Sequence, residues 1–229
     1  RMMGKGHDRP QGDNVLSMQV RARASAKIDR IESYWNSVRG NRLVPSRCEI
    51  DPRGLDGLLG NAFILERITT GLARFRIAGS HLSDLTGLEL CQMPFSALFL
   101  PGSREILSNA FEAVFDEPAM VRLAISSPAG FGRDVLEGEL ILLPLRSDLG
   151  DVDRVLGGLV LEGKVGRTPR RIEIVGQSRQ SLIGYAGPAH ADKSKQTGLP
   201  KTPAAFGPPG AAKNPSHACG HLRLIVSND

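Results

Sequence analysis

Aromatic residues are scarce in this chain of 229 residues: one Trp, two Tyr and eight Phe, 5% in all. The 41% hydrophobic content still suffices to fill a core. Cysteine is scarcer. Cys48, Cys91 and Cys219 are odd in number and far apart, which excludes a disulfide framework and fits a reducing cytoplasm. No apolar run approaches the roughly 18 residues of a membrane span. The best runs, Leu140–Leu143 and Leu156–Leu161, are strand-sized. The N-terminus is polar and charged, with no apolar stretch of the kind that marks a secretory leader. Arg1 precedes Met2 and Met3, so the start is expected at one of these methionines. Phosphate loops are missing, neither G-x-x-x-x-G-K-[ST] nor a G-x-G-x-x-G after a strand being found. No kinase, cyclase or helix-turn-helix segment flanks the central region.

What is present is most concentrated in residues 72–90, LARFRIAGSHLSDLTGLEL. Ala73, Phe75 and Ile77 alternate with Arg74 and Arg76, the period-two pattern of a half-buried strand. Gly79 stops the run, Ser80 is placed to cap a short helix His81–Leu85, and Gly87 ends it. Around this segment the pattern is strand, strand, short helices, helix, three strands. Phe63–Ile68 and Leu72–Ala78 flank a turn at Thr70-Gly71. A longer helix spans about Arg104 to Asp116, with Leu107, Phe111, Val114 and Phe115 on one face and Pro118 just beyond. Val121, Leu123 and Ile125 mark a third strand, and Leu136, Leu140 and Leu142, alternating with Glu137, Glu139 and Ile141, a fourth. Val155–Glu162 is the fifth, where Gly157-Gly158 signals a bulge or a close approach. The expectation is one five-stranded antiparallel sheet with its helices on one face, an α+β fold.

Upstream, Ile28, Ile31, Trp35 and Val38 recur at helical spacing from Lys27 to Arg39, and Gly40 stops the helix. The first reading is a helix packing Trp35 on its own sheet and the sharper one a helix pairing with a second subunit, which one amphipathic stripe does not separate. Ile28, Ile31 and Trp35 are therefore also partner-interface candidates. Between this helix and the sheet, Asp51 is set to cap a short helix with Pro52 in its first turn, and Arg47 and Asp51 are spaced for a local ion pair. Residues 1–24 read as a flexible N-terminus, 25–165 as the folded domain, and 166–229 as a mostly disordered tail. Arg170–Val175 is the one stretch of that tail suited to an edge strand. The formal charge of +5 lies in the C-terminal part. Residues 164–229 hold ten Lys and Arg against three Asp and Glu, +7, leaving −2 for the remainder.

Candidate chemistry is thin. His217, Cys219 and His221 are metal-ligand types, but a structural zinc site needs four ligands, so no metal site is expected. His81 stands beside Ser80 and near Asp84, yet no G-x-S-x-G turn presents the serine. Glu137 and Glu139 share a strand face and are read as a solvated outer surface. No catalytic residue is assigned, and no enzyme is expected.

The element order resembles the PAS domain, and the chain is similar to a family of short bacterial proteins built on one such domain. Tyr34-Trp35 with Arg39 and Arg42, Pro45-x-Arg47 leading to Ile50-Asp51-Pro52, Arg76-Ile77-Ala78-Gly79-Ser80 and Thr86-Gly87-Leu88-Glu89-Leu90 carry the resemblance, over about residues 27–163. It implies a non-enzymatic, cytoplasmic sensor or adaptor in signal transduction, acting through a protein partner or as a homodimer. It also implies a cavity between sheet and helices that holds an unidentified small molecule or nothing. Candidates to line it are Phe75, Ile77, Leu88, Cys91, Phe95, Phe99, Leu107, Phe111, Leu123, Leu140 and Leu142, whose alternative role is plain core. Haem is disfavoured because the long helix has no histidine. Flavin is disfavoured because Cys91 precedes Gln92-Met93-Pro94, unlike a photosensor's Asn-Cys-Arg motif. The alternative function is a nucleic-acid or membrane-surface adaptor working through the basic tail, by summed charge and without sequence specificity.

Overall fold

The computed structural model describes residues 11–183, with side chains described from Met18 onward. Helix α1 spans Gln11–Arg39, followed by short 3-10 turns at Arg47–Glu49 and Pro52–Leu55. Strands β1 (Ala62–Thr69) and β2 (Leu72–Ala78) form the expected hairpin, with Gly71 at φ 68° in the turn. Helix α2 (Ser80–Thr86), 3-10 turns at Phe95–Leu98 and Pro101–Ser103, and helix α3 (Arg104–Phe115) cross to β3 (Ala119–Ser127). Then come β4 (Leu136–Arg146), β5 (Val152–Glu162) and β6 (Glu173–Ser181).

All strands lie in one antiparallel sheet of order β2-β1-β5-β4-β3-β6. The five expected strands are present, and a sixth forms at the edge, overlapping the Arg170–Val175 stretch suited to one but running on to Ser181. Residues 173–181 pair with β3, so the sheet continues past residue 165 into the stretch assigned to a disordered tail. Arg170 anchors the approach to β6. It is buried, and its guanidinium donates to the backbone carbonyls of Val165, Asp134 and Lys164 at 2.7, 2.8 and 3.2 Å. The helix at the other end is also longer than expected. α1 starts at Gln11 rather than Lys27 and takes in residues 11–24 of the stretch read as flexible.

Two apolar layers sandwich the sheet. The inner one, under α2 and α3, contains Phe63, Phe75, Phe95, Phe99, Phe111 and Phe115 among its buried residues. Phe95 is its hub, with ring centroids 5.1 Å from Phe63, 5.2 Å from Phe75, 5.3 Å from Phe99 and 5.8 Å from Phe111. The outer layer is α1 on β4 and β5, where Ile28, Ile31 and Trp35 meet Ile141, Leu143, Leu145 and Leu156. Gly157-Gly158 is a close approach on both sides. A Cβ on Gly157 would lie 2.1 Å from the Phe63 ring, and one on Gly158 would lie 2.4 Å from Ile31 Cδ1. Helices therefore cover both faces, not one: α2 and α3 share the expected face, and α1 takes the other.

Local signals account for the smaller elements. Asp51 caps the Pro52–Leu55 turn, its Oδ1 accepting from Arg53 N at 2.9 Å. Gly87, at φ 68°, ends α2 in the left-handed region that glycine adopts without strain. Ser80 lies inside α2 rather than capping it, and Gly79 takes the cap position.

Phe95→Ala removes the ring that touches four others, and the close-packed surroundings can collapse only in part. The variant is expected to lose about 3–5 kcal/mol of stability in urea denaturation. An unchanged midpoint would show that the aromatic cluster is not the packing centre.

Candidate functional site

Eight of the eleven cavity candidates meet in the inner layer: Phe75, Phe95, Phe99, Leu107, Phe111, Leu123, Leu140 and Leu142 are all buried there. Their rings contact one another at the distances given above. The other three are elsewhere. Ile77 is 51% exposed, and its partner in register, Ile64, belongs to the outer layer. The cause is a bulge: β1 and β2 pair Ile64 with Ile77 but Leu65 with Phe75, so Arg76 is an extra residue and the alternation slips. Leu88, just past the end of α2, is 53% exposed. Cys91 is exposed, its Sγ 3.8 Å from the Arg76 carbonyl.

The partner-interface candidates also change place. Ile28, Ile31 and Trp35 are fully buried against their own sheet, and Trp35 Nε1 donates to the Pro144 carbonyl at 3.0 Å. A second subunit has no access to them while α1 stays docked. Charged contacts pin the helix at its margins. Arg122 on β3 reaches Asp29 and Glu32 of α1 and Glu139 of β4. Burial pushes the Arg122 guanidinium down, but the hydrogen bonds to Asp29 and Glu32 and the charges of Glu32 and Glu139 outweigh it and hold it above its ordinary value. Arg21 pairs with Glu137 and Lys27 with Glu162. Glu137 and Glu139 are therefore ion-pair partners beneath α1, not a solvated face.

Beyond the reach of α1, the outer face over β1 and β2 carries two adjoining features. The first is a groove of about 370 Å³ lined by Arg47, Ile50, Pro52, Leu55, Leu59, Ile64, Ile77 and Leu156, among others. The second, one pair of residues along the strands, is a charge cluster. Glu66 accepts from Arg74, Arg76 and Arg154, with N–O distances of 2.8 Å each. Arg154 also holds Asp153. Three guanidiniums against two carboxylates leave one positive charge in excess. The sequence showed the arginines but not the groove, because its walls come from three separate segments that only the fold assembles.

Among the described residues no group of His, Cys, Asp and Glu is placed to hold a metal, and no helix is long and apolar enough to cross a membrane. His81 is exposed on α2. His217, Cys219, His221 and the basic segment from residue 184 onward lie outside the described residues.

A family profile described as PAS domain matches residues 23–160. Comparison with curated proteins gives no match. Among solved structures, the chain is similar to one titled "The dark structure of the blue-light photoreceptor Aureochrome1 LOV". The identity is 12%, covering 49% of this chain and 83% of that one, with a TM-score of 0.37.

The Glu66 cluster gives a pH-dependent prediction. Burial pushes the Glu66 carboxyl up, but the hydrogen bond from Arg74 and the charges of Arg154, Arg76 and Arg74 outweigh it and hold it below the usual carboxylate value. A carboxyl lower in the folded than in the unfolded chain stabilises fully above the unfolded value, near 4.3 for Glu. That stability is lost as pH falls through the folded value. Glu66→Gln leaves three guanidiniums without their shared acceptor and is expected to cost about 1–3 kcal/mol at pH 7. The gap from the parent should close progressively below about pH 4. A gap independent of pH would assign the loss to packing instead of charge.

Proposed function

The chain belongs to the PAS domain family over residues 23–160, and on that premise we propose that it is a non-enzymatic sensory or adaptor module. In this reading it is cytoplasmic and passes its signal to a protein partner. The family match is the observation that carries the proposal. The double-layered sheet supports it. α1 is joined to the core through one sheet, so a change of packing on either face is felt by the other through β4 and β5. The helix rests on a small set of apolar contacts and on the Arg122 cluster, which makes it an element that a ligand or partner can bias between docked and released states. The partner in this reading contacts the exposed side of α1 and the open outer face over β1 and β2, since Ile28, Ile31 and Trp35 are committed to the protein's own core. A homodimer, in the same reading, uses those exposed surfaces too.

The proposal includes neither haem nor flavin. α3 contains no histidine, and Cys91 lies exposed outside the inner layer. It also includes no catalytic step.

The test is a photo-crosslinking amino acid placed in the 229-residue chain at Arg30, an exposed position of α1. Irradiated in the cell that makes it, the protein should form discrete crosslinks to protein. Those crosslinks should persist when residues 184–229 are deleted. Crosslinks to nucleic acid or lipid alone, or their complete loss with the tail, would overturn the reading and favour an adaptor working through the basic segment.

A further inference from the structure

The outer face of the sheet is unevenly covered. α1 lies over β4 and β5. Over β1 and β2 the cover is the chain around the Pro52–Leu55 turn, and the 370 Å³ groove opens there. Ile64, Ile77 and Leu156 pair across three neighbouring strands and make its floor. Leu55 and Leu59 line it from the chain before β1. Ile77 and Leu59 are 51% and 46% exposed, so two large apolar side chains face one opening without cover.

Arg47 is the one charged residue on this lining. It is half-buried. The ion pair with Asp51 that the spacing suggests is not formed, because the Asp51 carboxylate accepts from the backbone of Arg53. Among the described residues, the Arg47 guanidinium has no ion pair and no side-chain hydrogen bond. Arg42 is held on Glu49, and Arg74, Arg76 and Arg154 on Glu66. Part of the Arg47 side chain is covered, and its guanidinium, at the edge of an apolar floor, has no protein acceptor among the described residues. A carboxylate supplies it, in two parallel hydrogen bonds. The adjoining Glu66 cluster, three guanidiniums on two carboxylates, carries the same sign of excess charge.

We infer that this groove binds a small amphipathic carboxylate of the medium-chain fatty acid type. Its apolar body lies along Ile64, Ile77 and Leu156, and its carboxylate sits on Arg47. The volume falls within the roughly 300–1,000 Å³ of small-molecule sites. A docked peptide helix spreads its anchors over two turns, whereas this groove takes in three residues of β1, Ala62–Ile64, and two of β2, Ile77 and Ala78. The inference deepens the sensory reading and rests on it for its meaning, because Ile64 and Leu156 also belong to the apolar layer under α1.

The test titrates the full chain with sodium decanoate, with decanol and decyltrimethylammonium as uncharged and cationic controls, followed by nitrogen–proton correlation spectra. Saturable shifts are expected in residues 47–64 and 77–80. Arg47→Gln should weaken decanoate by about tenfold or more while leaving decanol unchanged. Ile77→Glu should abolish binding of both, with thermal unfolding confirming that the variants fold. If Ile77→Glu fails to fold, Leu59→Glu takes its place. Four results would overturn the inference: no saturation below the micelle concentration, equal affinity for the cationic control, shifts centred on Phe75, Phe95 and Phe111, or a self-association that covers the groove and excludes decanoate. Decanoate binding with no protein crosslinks from α1 keeps the site and overturns the signalling reading. Crosslinks without decanoate binding do the reverse.

Discussion

The fold depends on one constraint: β4 and β5 are apolar on both faces and must be covered twice. In β4, Leu140 and Leu142 point into the phenylalanine layer, while Ile141, Leu143 and Leu145 point the other way. β5 splits in the same manner, Val155 and Leu159 to one side, Leu156 and Val160 to the other. An antiparallel sheet with one solvated face would show alternation here. Instead both faces exclude water, and a second layer is required. α1 supplies it, and Gly157-Gly158 allows Phe63 and Ile31 to approach the strand from opposite sides.

The two layers close differently. Beneath α2 and α3, six phenylalanines cluster with Phe95 as their hub, which is how a chain poor in aromatics still builds a dense core. Ring edges and faces meet at 5.1–5.9 Å, in tilted, T-shaped and stacked pairs, and such pairs add to the stabilisation that area burial provides. Above the sheet a single helix covers two central strands, and its margins are finished by ion pairs rather than by more apolar contacts. One helix cannot cover six strands. Part of the remainder lies over β1 and β2, where a bulge at Arg76 turns Ile77 outward and leaves an apolar floor beside a row of charge.

Much of this was legible in the sequence, and the failures have specific causes. The hairpin, α3, the αL glycine after α2 and the Asp51 cap follow from local rules, and the order of elements identified the family. The role of Ile77 was not legible, because period-two counting assumes an unbroken register and a one-residue bulge reverses the face. Leu88 and Cys91 were misplaced for a related reason: the short segments after α2 have no periodicity to fix their orientation. The burial of Trp35 left two readings open, since an apolar stripe does not say which surface it meets. A signal existed in the unbroken run Leu140–Leu143 and in the double glycine, both marks of a strand buried on two faces. Arg170, with backbone carbonyls as its partners, left no trace in any pattern, and of β6 only the start was legible, in the edge-strand signal of Arg170–Val175, because its remainder to Ser181 is mostly polar.

Ile64 and Leu156 are where the two outer-face features meet. Each packs in the layer that holds α1 and also floors the groove, so the helix and any occupant of the groove draw on the same side chains. A close-packed layer does not deform continuously; it exchanges one arrangement for another. An occupant that contacts Ile64 and Leu156 more favourably when α1 is docked stabilises the docked helix, and one that prefers the released arrangement favours release. The sign of that coupling is set by which arrangement of these two residues gives the groove its better fit. In the proposed reading the partner contacts α1, the ligand contacts Arg47 and Ile77, and the one sheet face beneath both carries the coupling.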